Sequence, residues 1–132
     1  MKHVLSVLVK NRTGVLVRVA SMFSRREFNI DSLAVGITES PEFSRITLVV
    51  HGDEYLVDQM MKQLEKLPEV EAVQRLDDGS SVYRGMTMIK VKADDTNRLD
   101  VLKMAELFRA RVIDVQPTTL IFEVTGDDDK VT

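Results

Sequence analysis

Along residues 3–9 (HVLSVLV) the positions are mostly apolar or β-branched, and the run stops at Lys10-Asn11, which predicts a largely buried strand. After a polar loop, Asn11-Arg12-Thr13-Gly14, the apolar period becomes helical. Leu16, Val19, Ala20 and Phe23 fall on one stripe, with Arg18, Ser21 and Arg25 outside it. Asn29 breaks that helix. Leu33, Val35 and Ile37 then alternate through a strand over 32–38, and a turn at Pro41 leads into a third strand over 44–51 with Ile46, Leu48 and Val50 on one face. Asp53 is placed to cap a second helix, with Glu54 in its first turn. Its stripe is Val57, Met60, Met61, Leu64 and Leu67, and Pro68 stops it. Val70–Leu76 is a fourth strand.

The order to residue 76 is therefore β-α-β-β-α-β, with short connections and helices apolar on one side only. That order suits a split βαβ, or ferredoxin-like, unit: four antiparallel strands, both helices on one face, and the first strand between the third and fourth. A polar stretch follows, read as a linker over 77–84. Then the pattern restarts with a strand over 86–93, a helix over 96–109 (stripe Leu99, Leu102, Met104 or Ala105, Phe108) and strands over 112–116 and 119–125. Two echoes tie the halves together. Phe23-Ser24-Arg25 matches Phe108-Arg109-Ala110 at an offset of 85, and Ile30-Asp31 matches Ile113-Asp114 at an offset of 83. The expectation is an α+β chain: a complete βαββαβ domain over 1–76 and a second βαββ unit over 85–132 that lacks a closing helix and strand. Asp127-Asp128-Asp129 resembles the cap of that absent helix.

Composition narrows the function classes. With 132 residues, 44% of them hydrophobic, the chain can bury one core or two small ones. Its net charge of −3 argues against wholesale binding of a phosphate backbone, so no nucleic-acid partner is expected. The absence of Cys excludes disulfides, thiolate metal sites and thiol nucleophiles. No apolar run approaches the ~20 residues of a bilayer crossing. The reading is a cytoplasmic protein without a membrane partner. His3 and His51 could meet at the sheet end opposite the Gly14 loop, but two His alone make a poor zinc site. No catalytic or metal-ligating residue is assigned. Glycine spacing fits no nucleotide-binding loop. Glu65, Glu69, Glu71 and the Asp94-Asp95 pair read as solvated surface and helix caps.

One segment has chemistry beyond packing. The loop ending at Gly14 delivers the chain straight into a helix N-terminus, whose free N–H groups and partial positive charge suit a carboxylate. Gly14 lets a ligand approach the backbone closely. Asn11 offers both a donor and an acceptor, which suits a zwitterion, and Val15 and Leu16 could line an aliphatic pocket. Asn29, at the far end of the helix, could reach the same ligand only from a neighbouring chain. An ordinary turn with an N-cap uses the same residue types, so residue chemistry leaves both readings open. In addition, Val4, Leu8 and Val49 fall on the sheet face that the helices leave bare, which implies self-association or a larger partner enzyme.

These residues also carry a family resemblance. S-V-L-V-x-N-x-x-G-x-L-x-R-V at 6–19, F-S-R-R-x-x-N-I-x-S-L-x-V at 23–35, S-R-I-T at 44–47 and F-R-A-R-V-I-D-V at 108–115 resemble the ACT-domain small subunits of acetolactate synthase, in order along essentially the whole chain. The resemblance implies a non-catalytic regulatory subunit that activates a large catalytic subunit and confers feedback inhibition by valine or another branched-chain amino acid. It implies a homodimer through the ACT domains. It implies no cofactor on this chain, with thiamine diphosphate, Mg and FAD confined to the catalytic subunit. The effector positions it implies are Asn11, Gly14, Val15, Leu16, Asn29, Ile30, Val35 and Gly36, the segment from Asn29 onward contributed across the dimer. Where the family usually has Gly-Tyr before Asn-Ile, this chain has Glu27-Phe28. A positive φ there would strain Glu27 by about 1 kcal/mol or more. The stretch at 82–88 also departs from the family pattern, and the family's second domain is longer. Two other readings stand beside this one: an amino-acid-sensing ACT module of another enzyme or regulator, and an acylphosphatase-like hydrolase using Asn11 and Arg12.

Overall fold

Among residues 2–76 and 79–126, which the computed structural model describes, the first strand sits where the hydrophobic pattern puts it. β1 (Lys2–Lys10) is followed by α1 (Val15–Arg25), β2 (Ile30–Ile37), β3 (Phe43–His51), α2 (Glu54–Glu65) and β4 (Val70–Leu76). The sheet order is β2-β3-β1-β4 with every pair antiparallel, so β1 lies between β3 and β4. Leu5, Val7 and Val9 of β1 and Ile46, Leu48 and Val50 of β3 turn toward the helices, where Val57, Met60 and Leu64 of α2 meet them in one core. Asp53 caps α2 as its sequence predicts, accepting from the Leu56 N–H at 3.0 Å.

The core face of α1 differs from the predicted stripe. Val15, Val19, Met22 and Phe23 are buried, whereas Leu16 is exposed and Ala20 only half-buried. Both sets have helical spacing and share Val19 and Phe23; the buried stripe is turned by roughly 65° around the axis, toward Val15 and Met22. The rotation puts Leu16 on the surface next to the loop. On the opposite sheet face Val4 and Ser6 are buried, Leu8 and Val49 half-buried, and Arg45 Nη1 donates to Ser6 Oγ at 2.6 Å. That face is therefore mixed in character, with a hydrogen bond at its centre.

The chain divides into two compact units, Met1–Ser81 and Val82–Thr132. The second holds β5 (Gly85–Lys92), α3 (Arg98–Leu107), β6 (Arg111–Val115) and β7 (Thr119–Gly126), in the order β5-β7-β6. These match β1, α1, β2 and β3 in connection and pairing, so the internal repeat is real. Its register differs from the predicted one. Glu27 follows α1 with φ 56° and Arg109 follows α3 with φ 54°. At each site the next N–H reaches back five residues: Phe28 to the Phe23 carbonyl at 2.9 Å, Ala110 to the Ala105 carbonyl at 2.9 Å. Bulges then fall at Asp31 in β2 and at Ile113 in β6. The helix ends and bulges are thus 82 residues apart, and the echoes at 85 and 83 join non-equivalent positions. Phe23 is buried in the core, but Phe108 is an exposed helix cap.

α3 begins at Arg98, later than the spacing predicts. The Asp94 carboxylate accepts from the Thr96 N–H and hydroxyl and from the Asn97 N–H, forming a turn ahead of the helix. The Thr96 hydroxyl, first among these donors, holds the Asp94 carboxyl below its ordinary value. Val101, Leu102 and Ala105 pack against Ala93, Leu120 and Phe122, while the predicted Leu99 and Phe108 are exposed. An apolar groove of about 540 Å³ borders α3, lined by Ile89, Met104, Phe108 and Val124. In the first unit, α2 supplies the second layer over the core. The proposed helix cap at Asp127 lies outside the described residues.

Candidate functional site

The loop after β1 is held from two sides by backbone hydrogen bonds. The Lys10 N–H donates to the Glu69 carbonyl and the Asn11 N–H to the Glu42 carbonyl, both at 2.8 Å. Asn11 is fixed further by its side chain, with Nδ2 donating to the Pro41 carbonyl at 3.1 Å and Oδ1 accepting from the Ser44 hydroxyl at 3.2 Å. This leaves one N–H and one lone pair of the amide for a ligand. Neither Pro41 nor Ser44 is identifiable from sequence as a partner of Asn11. The relevant signal is the register that sets Val9 opposite Ser44, and pairing supplies it.

Gly14 is the N-cap of α1, with φ 87° and ψ −10°. No side chain caps the helix and its first turn carries no acid, unlike α2, which has both Asp53 and Glu54. A Cβ at Gly14 would meet nothing within 4 Å, so space is open above it and the left-handed φ is what excludes other residues. The α1 N-terminus thus has exposed amide character and partial positive charge with no internal anion. Of the two apolar positions beside it, Val15 belongs to the core, and Leu16 is the exposed one.

The structure sorts the other predicted positions by sheet end. β2 runs parallel to β1, since both pair antiparallel with β3. Gly36 pairs with Arg45, which pairs with Leu8, so Val35 and Gly36 lie at the same sheet end as Asn11 and Gly14. Asn29 and Ile30 lie at the other end. The eight residues of β2 span about 25 Å, so one small ligand cannot touch both groups in one chain. β2 is also an edge strand, and its helix-side residues Leu33, Val35 and Ile37 are exposed. Asn29 Nδ2 donates to Asp31 Oδ1 at 3.1 Å, and the second Asp31 oxygen pairs with His51 Nδ1.

His3 and His51 do not meet. His3 turns to the helix side and contacts the Gly52 carbonyl at 3.2 Å, while His51 pairs with Asp31. Among the described residues no group of three His, Asp or Glu side chains could hold a metal ion. Glu69 pairs with Arg18, and Glu54 and Asp58 both pair with Arg75, so these acids serve as links between elements. No helix among the described residues is long and apolar enough to cross a membrane.

The first unit has the fold of an ACT domain. The ACT domain of GTP pyrophosphokinase from Chlorobium tepidum superposes with a TM-score of 0.52 at 15% identity, over 59% of this chain and 88% of its own. Closer likeness extends over both units. Residues 5–72 match the small-subunit-like ACT domain of acetohydroxyacid synthase, and 84–132 match the small subunit of acetolactate synthase. The acetolactate synthase small subunit of Mycobacterium avium is 52% identical over 98% of this chain and 77% of its own length. A probable small subunit from Archaeoglobus fulgidus is 49% identical over 99% and 82%. The crystal structure of the Thermotoga maritima small subunit superposes with a TM-score of 0.90 at 40% identity, over 99% of this chain and 82% of its own. The chain belongs to the acetolactate synthase small subunits, a family of regulatory subunits.

Proposed function

We propose that this chain binds a branched-chain amino acid, with valine as the first candidate, and through it controls the large catalytic subunit of acetolactate synthase. The observation that carries this reading is the uncapped, acid-free N-terminus of α1 beneath an open Gly14. The helix amides and the spare Asn11 N–H receive the effector carboxylate. Leu16 and Val35, exposed at the same sheet end, cover its aliphatic part.

A second copy completes the site. Antiparallel pairing of two β2 edges about an axis through Ala34 sets Leu33 of one copy opposite Val35 of the other. Asn29 of the second copy then reaches the Gly14 end of the first, and the exposed Leu33, Val35 and Ile37 are covered. Effector binding at such an interface biases one subunit arrangement, with a coupling of roughly 1–3 kcal/mol. Thiamine diphosphate, Mg and FAD belong to the catalytic subunit in this reading. The chain itself is a cytoplasmic, non-catalytic activator that also carries feedback inhibition.

The test is co-purification of the full chain with the large subunit. The expected result is a complex that synthesises acetolactate faster than the large subunit alone and slows when valine, leucine or isoleucine is added. No association and no change in rate would overturn the reading in favour of an amino-acid-sensing module for another enzyme.

A further inference from the structure

Asn29 is an amide whose two ends have nearly the same shape and opposite hydrogen-bonding character. Its neighbour decides which end faces a ligand. Asp31 occupies the bulge of β2, where regular side-chain alternation is broken and a side chain can be re-aimed. One of its oxygens accepts from Asn29 Nδ2 at 3.1 Å, and the other is paired with His51 on β3. A carboxylate accepts only, so it draws the NH2 end of Asn29 to itself and leaves the amide oxygen to whatever binds there. His51 anchors the carboxylate in turn.

We propose that Asp31 is a positioning residue that makes Asn29 an acceptor, and thereby the reader of the effector's ammonium group. This rests on the reading that Asn29 completes the effector site across the β2 edges. The helix end selects a carboxylate and the Asn29 oxygen selects a charged donor, so together they specify an α-amino acid over its 2-hydroxy analogue. Neither Asp31 nor His51 touches the effector in this arrangement; both act through Asn29.

The experiment titrates the full-length protein with L-valine, L-leucine and L-isoleucine, and then compares the tightest of these with its 2-hydroxy acid analogue. In Asp31→Ala the preference for the amino acid is expected to fall about tenfold, the scale of one charge-assisted hydrogen bond. Asp31→Asn keeps an oxygen that can accept from Asn29 and is expected to stay within about threefold of the unmodified protein. His51→Gln, which releases only the outer anchor, is expected to weaken the preference about twofold to threefold. Asp31 and His51 are exposed, so unchanged melting of all three variants is expected. An Asp31→Ala protein with full preference overturns the proposal. So does an Asp31→Asn protein as impaired as Asp31→Ala, because charge and not aim would then be responsible. Absence of binding by any of the three amino acids, or normal binding by Asn29→Ala, overturns the underlying site. Normal binding that is lost in Asn29→Ala but indifferent to Asp31 overturns only the positioning.

Discussion

The Ser44 hydroxyl donates to the Asn11 amide oxygen at 3.2 Å, and so ties the loop that precedes α1 to the start of β3. Together with the bond from Asn11 Nδ2 to the Pro41 carbonyl, it orients the amide before any ligand arrives. Binding energy is then not consumed in ordering Asn11. Ser44→Ala is expected to weaken effector binding threefold to tenfold with a stability loss of about 1 kcal/mol, read by calorimetry and urea unfolding.

Gly14 admits no side chain without cost. Gly14→Asp combines a non-glycine residue at positive φ, costing about 1 kcal/mol or more, with a carboxylate where the effector's own must sit. Valine affinity is expected to fall beyond detection while the protein remains folded. Unchanged affinity in calorimetry would remove the helix end from the site.

Leu33 and Ile37 share the open edge of the first sheet. A charge there leaves the monomer's core intact but is unfavourable in an apolar interface. Leu33→Lys with Ile37→Lys is expected to yield a folded monomer by sedimentation, with effector binding lost alongside dimerisation. A dimer that survives both changes would place its interface elsewhere.

Phe28 lies against Gly52. A Cβ at Gly52 would sit 2.5 Å from the tip of the Phe28 ring, which itself packs edge-on to Phe23 in the core. Gly52→Ala is therefore expected to destabilise by about 1–3 kcal/mol, and adding Phe28→Leu to restore part of that loss. Denaturant midpoints of the single and double variants measure both effects.

Glu27 holds the left-handed position that closes α1, at φ 56°. Glu27→Gly is expected to stabilise by about 0.5–1 kcal/mol, the relief of strain being partly offset by the freer unfolded chain. Arg109→Gly should act likewise in the second unit, since Arg109 ends α3 in the same way. A lower denaturant midpoint in either variant would contradict the account of these helix ends.

Much of this was legible in the chain. Alternation at Leu5, Val7 and Val9 and at Ile46, Leu48 and Val50 is a local property of strands, and the Asp53 cap needs only its own helix. Element order and the place of β1 in the sheet followed from these patterns, whereas the expectation of strain at Glu27 came from the family resemblance. The motifs at 6–19 and 23–35 pointed to the family. Tertiary structure decided the rest, because it depends on which surfaces meet. Two helical stripes were available in α1, and the sheet selected Val15 over Leu16. The repeat had to be aligned on hydrogen-bonded helix ends and bulges, since Phe108 resembles Phe23 in type but not in place. Strand pairing brought Ser44 to Asn11 and His51 to Asp31, contacts between residues 33 and 20 positions apart that no local pattern encodes. Asn11 and Asn29, which the sequence already put at opposite ends of α1, fall at opposite sheet ends by the same pairing, so that a single chain carries the two halves of its proposed site without being able to close it.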